Sequence, residues 1–263
     1  MEKAYETVKL LIDGPVARVS FCRPEVHNAF NDKLIYELTD LFKKLKKDKL
    51  LRVVVLTGEG KSFCAGADLN WMRRVKDYSF EKNYEESLAL AELFYLIYTM
   101  PLPIIGRING AAIGGGTGFV SVCDIAVAAE SAKFSFSEVK IGVVPACIGP
   151  YVIRKIGEGK AREFFISGER LPAAEAWRIG LVNRVTPDEE LDKEVNKLVS
   201  TILSSGPHAV TMAKELISNV PLMSPDEFKP YTAEMIAKLR KSDEGQEGMD
   251  AFLNKRKPNW VVE

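Results

Sequence analysis

Two short segments, Ser62-Phe63-Cys64-Ala65-Gly66-Ala67-Asp68-Leu69 and Asn109-Gly110-Ala111-Ala112-Ile113-Gly114-Gly115-Gly116, could do chemistry with backbone alone. Glycine and alanine leave the main-chain N–H open to a ligand, and glycine lets the chain turn where other residues clash. Two such N–H groups aimed at one point form an oxyanion hole, which stabilises charge as it develops on an oxygen. Either segment alone also reads as an ordinary glycine-rich turn between strand and helix. A third segment, Phe134-Ser135-Phe136-Ser137-Glu138-Val139, alternates like a strand leading a carboxyl group to a site, and Gly142-Val143-Val144-Pro145 follows it. A glutamate buried there has its charged form disfavoured, which moves its pKa towards values useful for proton transfer near neutrality.

Other motifs carry less. Gly58-Glu59-Gly60-Lys61-Ser62 ends like a phosphate-binding loop, but Val55 stands where that motif needs a glycine. The run from Gly114 lacks the G-x-G-x-x-G spacing of a dinucleotide site. Cys22, Cys64, Cys123 and Cys147 form no C-x-x-C pair and His27 and His208 are the only histidines, so no zinc cluster is expected and the thiols read as reduced, in a cytoplasmic protein. Cys64 reads as a small buried packing residue, and His208, after a proline at a helix start, as a capping or surface residue.

Periodicity predicts the elements that must position these segments. Val8 to Ile12 and Val16 to Phe21 flank Asp13-Gly14-Pro15 as a hairpin. Leu34, Ile35, Leu38, Leu41, Phe42 and Leu45 recur at helical spacing, with Asn31 as N-cap. Strands are expected over Arg52 to Leu56, Ile104 to Ile108 and Asp124 to Ala129, and helices over Glu85 to Thr99 and Gly115 to Cys123. After Asp188 strand signals stop and helical stretches are expected near 188 to 204, 207 to 219 and 226 to 253. Residues 1 to 188 are therefore expected to form a core, followed by a helical region over 189 to 263.

Composition suits a soluble globular chain: 263 residues, 29.2 kDa and 46% hydrophobic. Its 36 basic and 36 acidic residues cancel, so no global field recruits nucleic acid or an anionic membrane. The apolar stretch from Leu88 to Ile105 is interrupted by Glu92, Pro101 and Pro103, too short a clean run to span a bilayer. No signal peptide is indicated at the N-terminus.

With Ala65-Gly66-Ala67-Asp68 followed by Gly114-Gly115-Gly116, the chain resembles the crotonase superfamily, the enoyl-CoA hydratases and isomerases, from about Lys9 to Trp260. The resemblance implies an α/β crotonase (ClpP-like) fold, a spiral of ββα repeats with a helical C-terminal trimerisation region, assembled as a homotrimer or a dimer of trimers. It implies that the N–H groups of Ala67 and Gly115 hold the enolate oxygen of an acyl-CoA thioester, and that Glu138 is the acid/base. No cofactor is implied, since coenzyme A is part of the substrate, and no metal. CoA contacts map onto Arg23, His27, Ala29, Cys64, Ala65, Asp68 and Leu69, with Phe252 and Lys255 reaching a neighbouring subunit's CoA. Trp71, Met72, Gly118, Pro145 and Tyr151 map onto the acyl pocket, and one of the neighbouring Arg73 and Arg74 is a candidate partner for a distal carboxylate on the substrate.

The best-known hydratases of this superfamily carry a second glutamate where this chain has Gly118. Isomerases that shift a β,γ double bond commonly keep only the later glutamate. Gly66-Ala67-Asp68-Leu69-Asn70-Trp71-Met72 and Pro150-Tyr151-Val152-Ile153 are similar instead to a bacterial hydratase subgroup acting on branched glutaconyl-CoA esters in leucine and terpene breakdown, which also lacks the earlier glutamate. The expected activity is therefore hydration, with isomerisation and catalytically silent acyl-CoA binding as the alternatives.

Overall fold

A computed structural model describes residues 5–261. Its strands are β1 (Val8–Asp13), β2 (Val16–Phe21), β3 (Val53–Gly58), β4 (Ser62–Cys64), β5 (Ile104–Ile108), β6 (Ala111–Ile113), β7 (Ile125–Ala129), β8 (Lys133–Ser135), β9 (Arg170–Pro172) and β10 (Arg184–Thr186). The helices are α1 (Asp32–Leu45), α2 (Leu69–Val75), α3 (Phe80–Tyr98), α4 (Gly115–Val122), α5 (Gly149–Ser167), α6 (Ala173–Arg178), α7 (Leu191–Leu203), α8 (Pro207–Asn219), α9 (Pro225–Lys241) and α10 (Asp243–Leu253).

Two sheets result. The larger runs β1-β2-β3-β5-β7-β10, parallel from β2 onward, and the smaller runs β4-β6-β8-β9. Three times the chain lays one strand in the large sheet and the next in the small sheet and then enters a helix: β3, β4 and α2; β5, β6 and α4; β7, β8 and α5. This is the expected ββα spiral.

Alternation along the central strands explains why both faces of the large sheet are covered. Val54 and Leu56 of β3 join one core cluster with Leu34, Leu38 and Leu41 of α1, while Val53 and Val55 join another with Leu191, Val195 and Leu198 of α7. Helix α7, which the sequence assigns to the C-terminal region, thus folds onto the sheet, and the helices beyond it are α8 to α10.

Other differences are local. Helix α3 begins at Phe80 rather than near Glu85, because the Ser79 hydroxyl accepts the Lys82 N–H and caps it. The stretch from 226 to 253 is broken at Ser242, whose side chain accepts the Gly245 N–H and starts a new helix. The strand expected over Phe134 to Val139 stops at Ser135, and Glu138 lies in a 3-10 turn, Ser137–Ile141.

Candidate active site

Three neighbouring strands of the small sheet deliver the three expected groups. β4, β6 and β8 are parallel and adjacent, so the segments leaving their C-terminal ends start side by side. Ala67 follows β4, Gly115 follows β6 and Glu138 follows β8. The carboxyl ends of parallel strands are where α/β folds build ligand crevices.

Ala67 and Gly115 both line one cavity of about 590 Å³. Neither N–H donates to an acceptor among the described residues, and Gly115 is the first residue of α4, where helical N–H groups lack intrahelical partners. The helix dipole adds positive potential at the same place. The α4 start is held rigidly. Gly114 N–H donates to Ser135 O at 2.8 Å, and the buried Thr117 hydroxyl lies 2.6 Å from Ala112 O and 3.1 Å from Ser135 O, tying the helix to β6 and β8. Gly114 has φ 53° and ψ −124°, a conformation that favours glycine, and a Cβ on Gly116 would lie 2.0 Å from Cys64 O. At the other end of α4 the half-buried Lys155 amine donates to Cys123 O at 2.7 Å, at the negative end of the helix dipole.

The other donor is backed by the segment from Arg23 to Phe30. Ala65 N–H donates to His27 O at 3.0 Å, Phe30 N–H to Gly66 O at 2.8 Å and Asp68 N–H to Phe30 O at 2.9 Å. Arg23 bonds the Ala29 carbonyl and, at 2.7 Å, the Asp68 carboxylate. Asp68 in turn caps α2 by accepting the N–H groups of Asn70 and Trp71 at 2.7 and 3.2 Å. Burial pushes the Asp68 carboxyl up, but the Arg23 bond and the two N–H donors outweigh it and hold it below the ordinary value.

Glu138 faces the same cavity. Its Oε1 would lie 3.2 Å from a Cβ on Gly114, so the carboxyl group sits directly over the entry to α4. Its Oε2 is buried and accepts no hydrogen bond from the described residues. Burial pushes the Glu138 pKa up, because few donors repay the lost hydration of the charged form. A carboxyl group in this state is equipped to take and return a proton.

The expected residues divide by position. Ala65, Leu69, Trp71, Met72 and Pro145 line the cavity with Ala67, Gly115 and Glu138. Arg23, His27, Ala29 and Asp68 lie behind it and brace its rim; His27 also places Nδ1 3.1 Å from the Ser62 hydroxyl. Cys64 is fully buried, and its thiol pKa is pushed up to about 12 by that burial, so it packs rather than reacts. Phe252 and Lys255 are exposed on and just beyond α10 and line no part of this cavity.

Two acyl-pocket residues fall elsewhere. Gly118 is buried beneath the pocket floor, and a Cβ there would lie 2.2 Å from Ile148 Cγ2, so Ile148 fills the space in which a second glutamate would start. Tyr151 packs on Tyr98, with ring centroids 5.0 Å apart, instead of lining the cavity. The arginines also turn away: Arg73 bonds Asn70 and Arg74 bonds Asp32, and neither reaches the lining. His208 stands at the start of α8, where its N–H and that of Ala209 donate to Glu244 at 2.8 Å.

Sequence reasoning passed over Phe30, Thr117 and Glu86. Phe30 and Glu86 line the cavity, and Thr117 pins α4. Thr117, a hydroxyl inside a glycine-rich helix start, was a usable signal; the other two join the site only through contacts distant in sequence.

The fold just described has counterparts among known proteins. The family model described as enoyl-CoA hydratase/isomerase matches residues 12–262, and the chain belongs to that family, within the crotonase superfamily. A crotonyl-CoA hydratase of Syntrophomonas wolfei is 34% identical over 260 residues, covering 98% of this chain and 99% of its own. Among solved structures, an enoyl-CoA hydratase from Shewanella pealeana superposes with a TM-score of 0.94 at 35% identity, covering 97% of this chain and 96% of its own. AtuE of Pseudomonas aeruginosa superposes with a TM-score of 0.95 at 30% identity, covering 98% of this chain and 100% of its own. Among the described residues no helix is long and apolar enough to cross a membrane.

Proposed function

We propose that this enzyme adds water across the α,β double bond of an acyl-CoA thioester, with Glu138 as its only acid/base and with Ala67 and Gly115 as the oxyanion hole. The observation that carries this reading is the unpartnered Glu138 Oε2 in the same cavity as two free backbone donors. The thioester oxygen accepts both N–H groups. Glu138 removes a proton from water as the oxygen attacks Cβ; the resulting enolate is stabilised by the two donors and by α4. Glu138 then returns that proton to Cα, which restores the carboxylate and leaves a β-hydroxyacyl thioester.

Hydration is favoured over isomerisation by the hydratase named among the relatives, the crotonyl-CoA hydratase above. A branched glutaconyl ester is a weaker fit, because its distal carboxylate meets no cation in the cavity lining. Incubating the protein with crotonyl-CoA in 18O-water tests the reading. Label in a β-hydroxyacyl product supports it, and unhydrated crotonyl-CoA together with conversion of β,γ-enoyl esters makes the isomerase the function.

We also propose that copies of this chain cover the apolar groove of about 500 Å³ between α8 and α9, lined by Met212, Leu216, Met235, Ile236 and Leu239. A trimer or paired trimers would bury it, and Phe252 and Lys255 on the same helical layer would then meet a neighbour's CoA. Sedimentation as a monomer would remove this part of the reading.

A further inference from the structure

Hydration does not use Glu86, yet α3 places it in the cavity wall with its side chain only 15% exposed. Its Oε2 accepts the Trp71 indole N–H at 2.7 Å, which fixes the carboxylate in place. From outside the lining the half-exposed Lys82 makes a long ion pair of 3.7 Å with Oε1. Among the residues that line the cavity there is no lysine, arginine or histidine, and its charged members are Glu86 and Glu138, both acids. Nor is the neighbouring amide free: Asn83 Nδ2 is shared among the carbonyls of Val75, Tyr78 and Ser79 at 3.2 to 3.4 Å. The rest of the wall is largely apolar, with Leu69, Met72, Val75, Leu90 and Val143.

We propose that Glu86 determines acyl specificity, admitting uncharged chains and rejecting those that end in a carboxylate. The assignment of this cavity to the acyl chain rests on the hydratase reading. An anion entering the site gives up water, finds no fixed positive partner and meets a like charge held by Trp71, a repulsive element of the kind that separates related substrates. The enzyme's natural substrate is then a neutral aliphatic enoyl thioester and not a glutaconyl ester.

Saturated thioesters of equal length test this without turnover. Calorimetry with pentanoyl-CoA and glutaryl-CoA, which differ at the terminal carbon, should show pentanoyl-CoA binding at least about tenfold more tightly to the wild type. In Glu86→Gln that ratio should shrink at least about threefold, with glutaryl-CoA gaining affinity. Equal or tighter binding of glutaryl-CoA by the wild type overturns the proposal without any variant, and so does an unchanged ratio in folded Glu86→Gln. A protein that shows the expected ratio but never hydrates crotonyl-CoA would retain the selection and lose the hydratase reading.

Discussion

The Phe30 ring lies so close to Gly115 that a Cβ added there would sit 2.6 Å from Cε1. The Phe30 backbone meanwhile holds Gly66 O and the Asp68 N–H, the residues either side of Ala67. One residue therefore braces both N–H groups of the proposed oxyanion hole, one through its main chain and the other through its ring. Trp71 and Phe119 in turn pack on that ring, with centroids 5.8 and 6.0 Å away.

Gly115→Ala should displace the Phe30 ring at a cost of about 1–3 kcal/mol, as overpacking does, and the displacement should appear in kcat as well as in stability. Adding Phe30→Leu makes room and should restore part of the loss. Steady-state kinetics and thermal melts of both variants check this; wild-type turnover in Gly115→Ala would show that the ring does not set the donor.

Ala67→Pro removes a donor that serves no hydrogen bond within the described residues, so folding should survive its loss. Turnover should fall by the equivalent of about 3 kcal/mol, the effect of one missing oxyanion-hole donor. Full activity in a folded variant would take Ala67 out of the mechanism.

Glu138→Gln should lower kcat by roughly two to four decades while thioester binding persists. Because burial raises the Glu138 pKa above the ordinary 4.5, the acid limb of kcat/KM should lie above that value, where the base loses its charge. The same shift has a stability consequence. A carboxyl group that binds its proton more tightly when folded contributes stability that is fully present below the unfolded pKa and is lost as pH rises through the folded one. Denaturant titrations should therefore show the glutamine variant gaining on the wild type between acid and neutral pH, and a constant difference would contradict the assignment.

Gly118→Glu should not restore a two-carboxylate enzyme. Its Cβ would meet Ile148 Cγ2 at 2.2 Å and Phe94 Cζ at 3.0 Å, so overpacking and an unpaired buried charge together should cost about 3 kcal/mol or more. Ile148→Ala in the same chain should recover much of the melting temperature. A single variant as stable as wild type would mean that the floor yields freely.

The elements with long apolar periods, the hairpin, α1 and the strands β3, β5 and β7, are legible in the residues alone, because repeated burial leaves a repeated pattern. The sequence also singled out Ala67, Gly115 and Glu138, whose segments match the family pattern and which the fold brings to one cavity. The rest depends on long-range packing. β4, β6, β8 and β9 are three residues each, too short to show a period, and they form because their neighbours in the small sheet are already present. The sequence words around Trp71 suggest a cation for a distal carboxylate, but folding turns Arg73 and Arg74 outward and brings Glu86 in from α3. Which face of a helix meets a cavity depends on how that helix packs against elements far away in the chain, and local sequence does not hold that information.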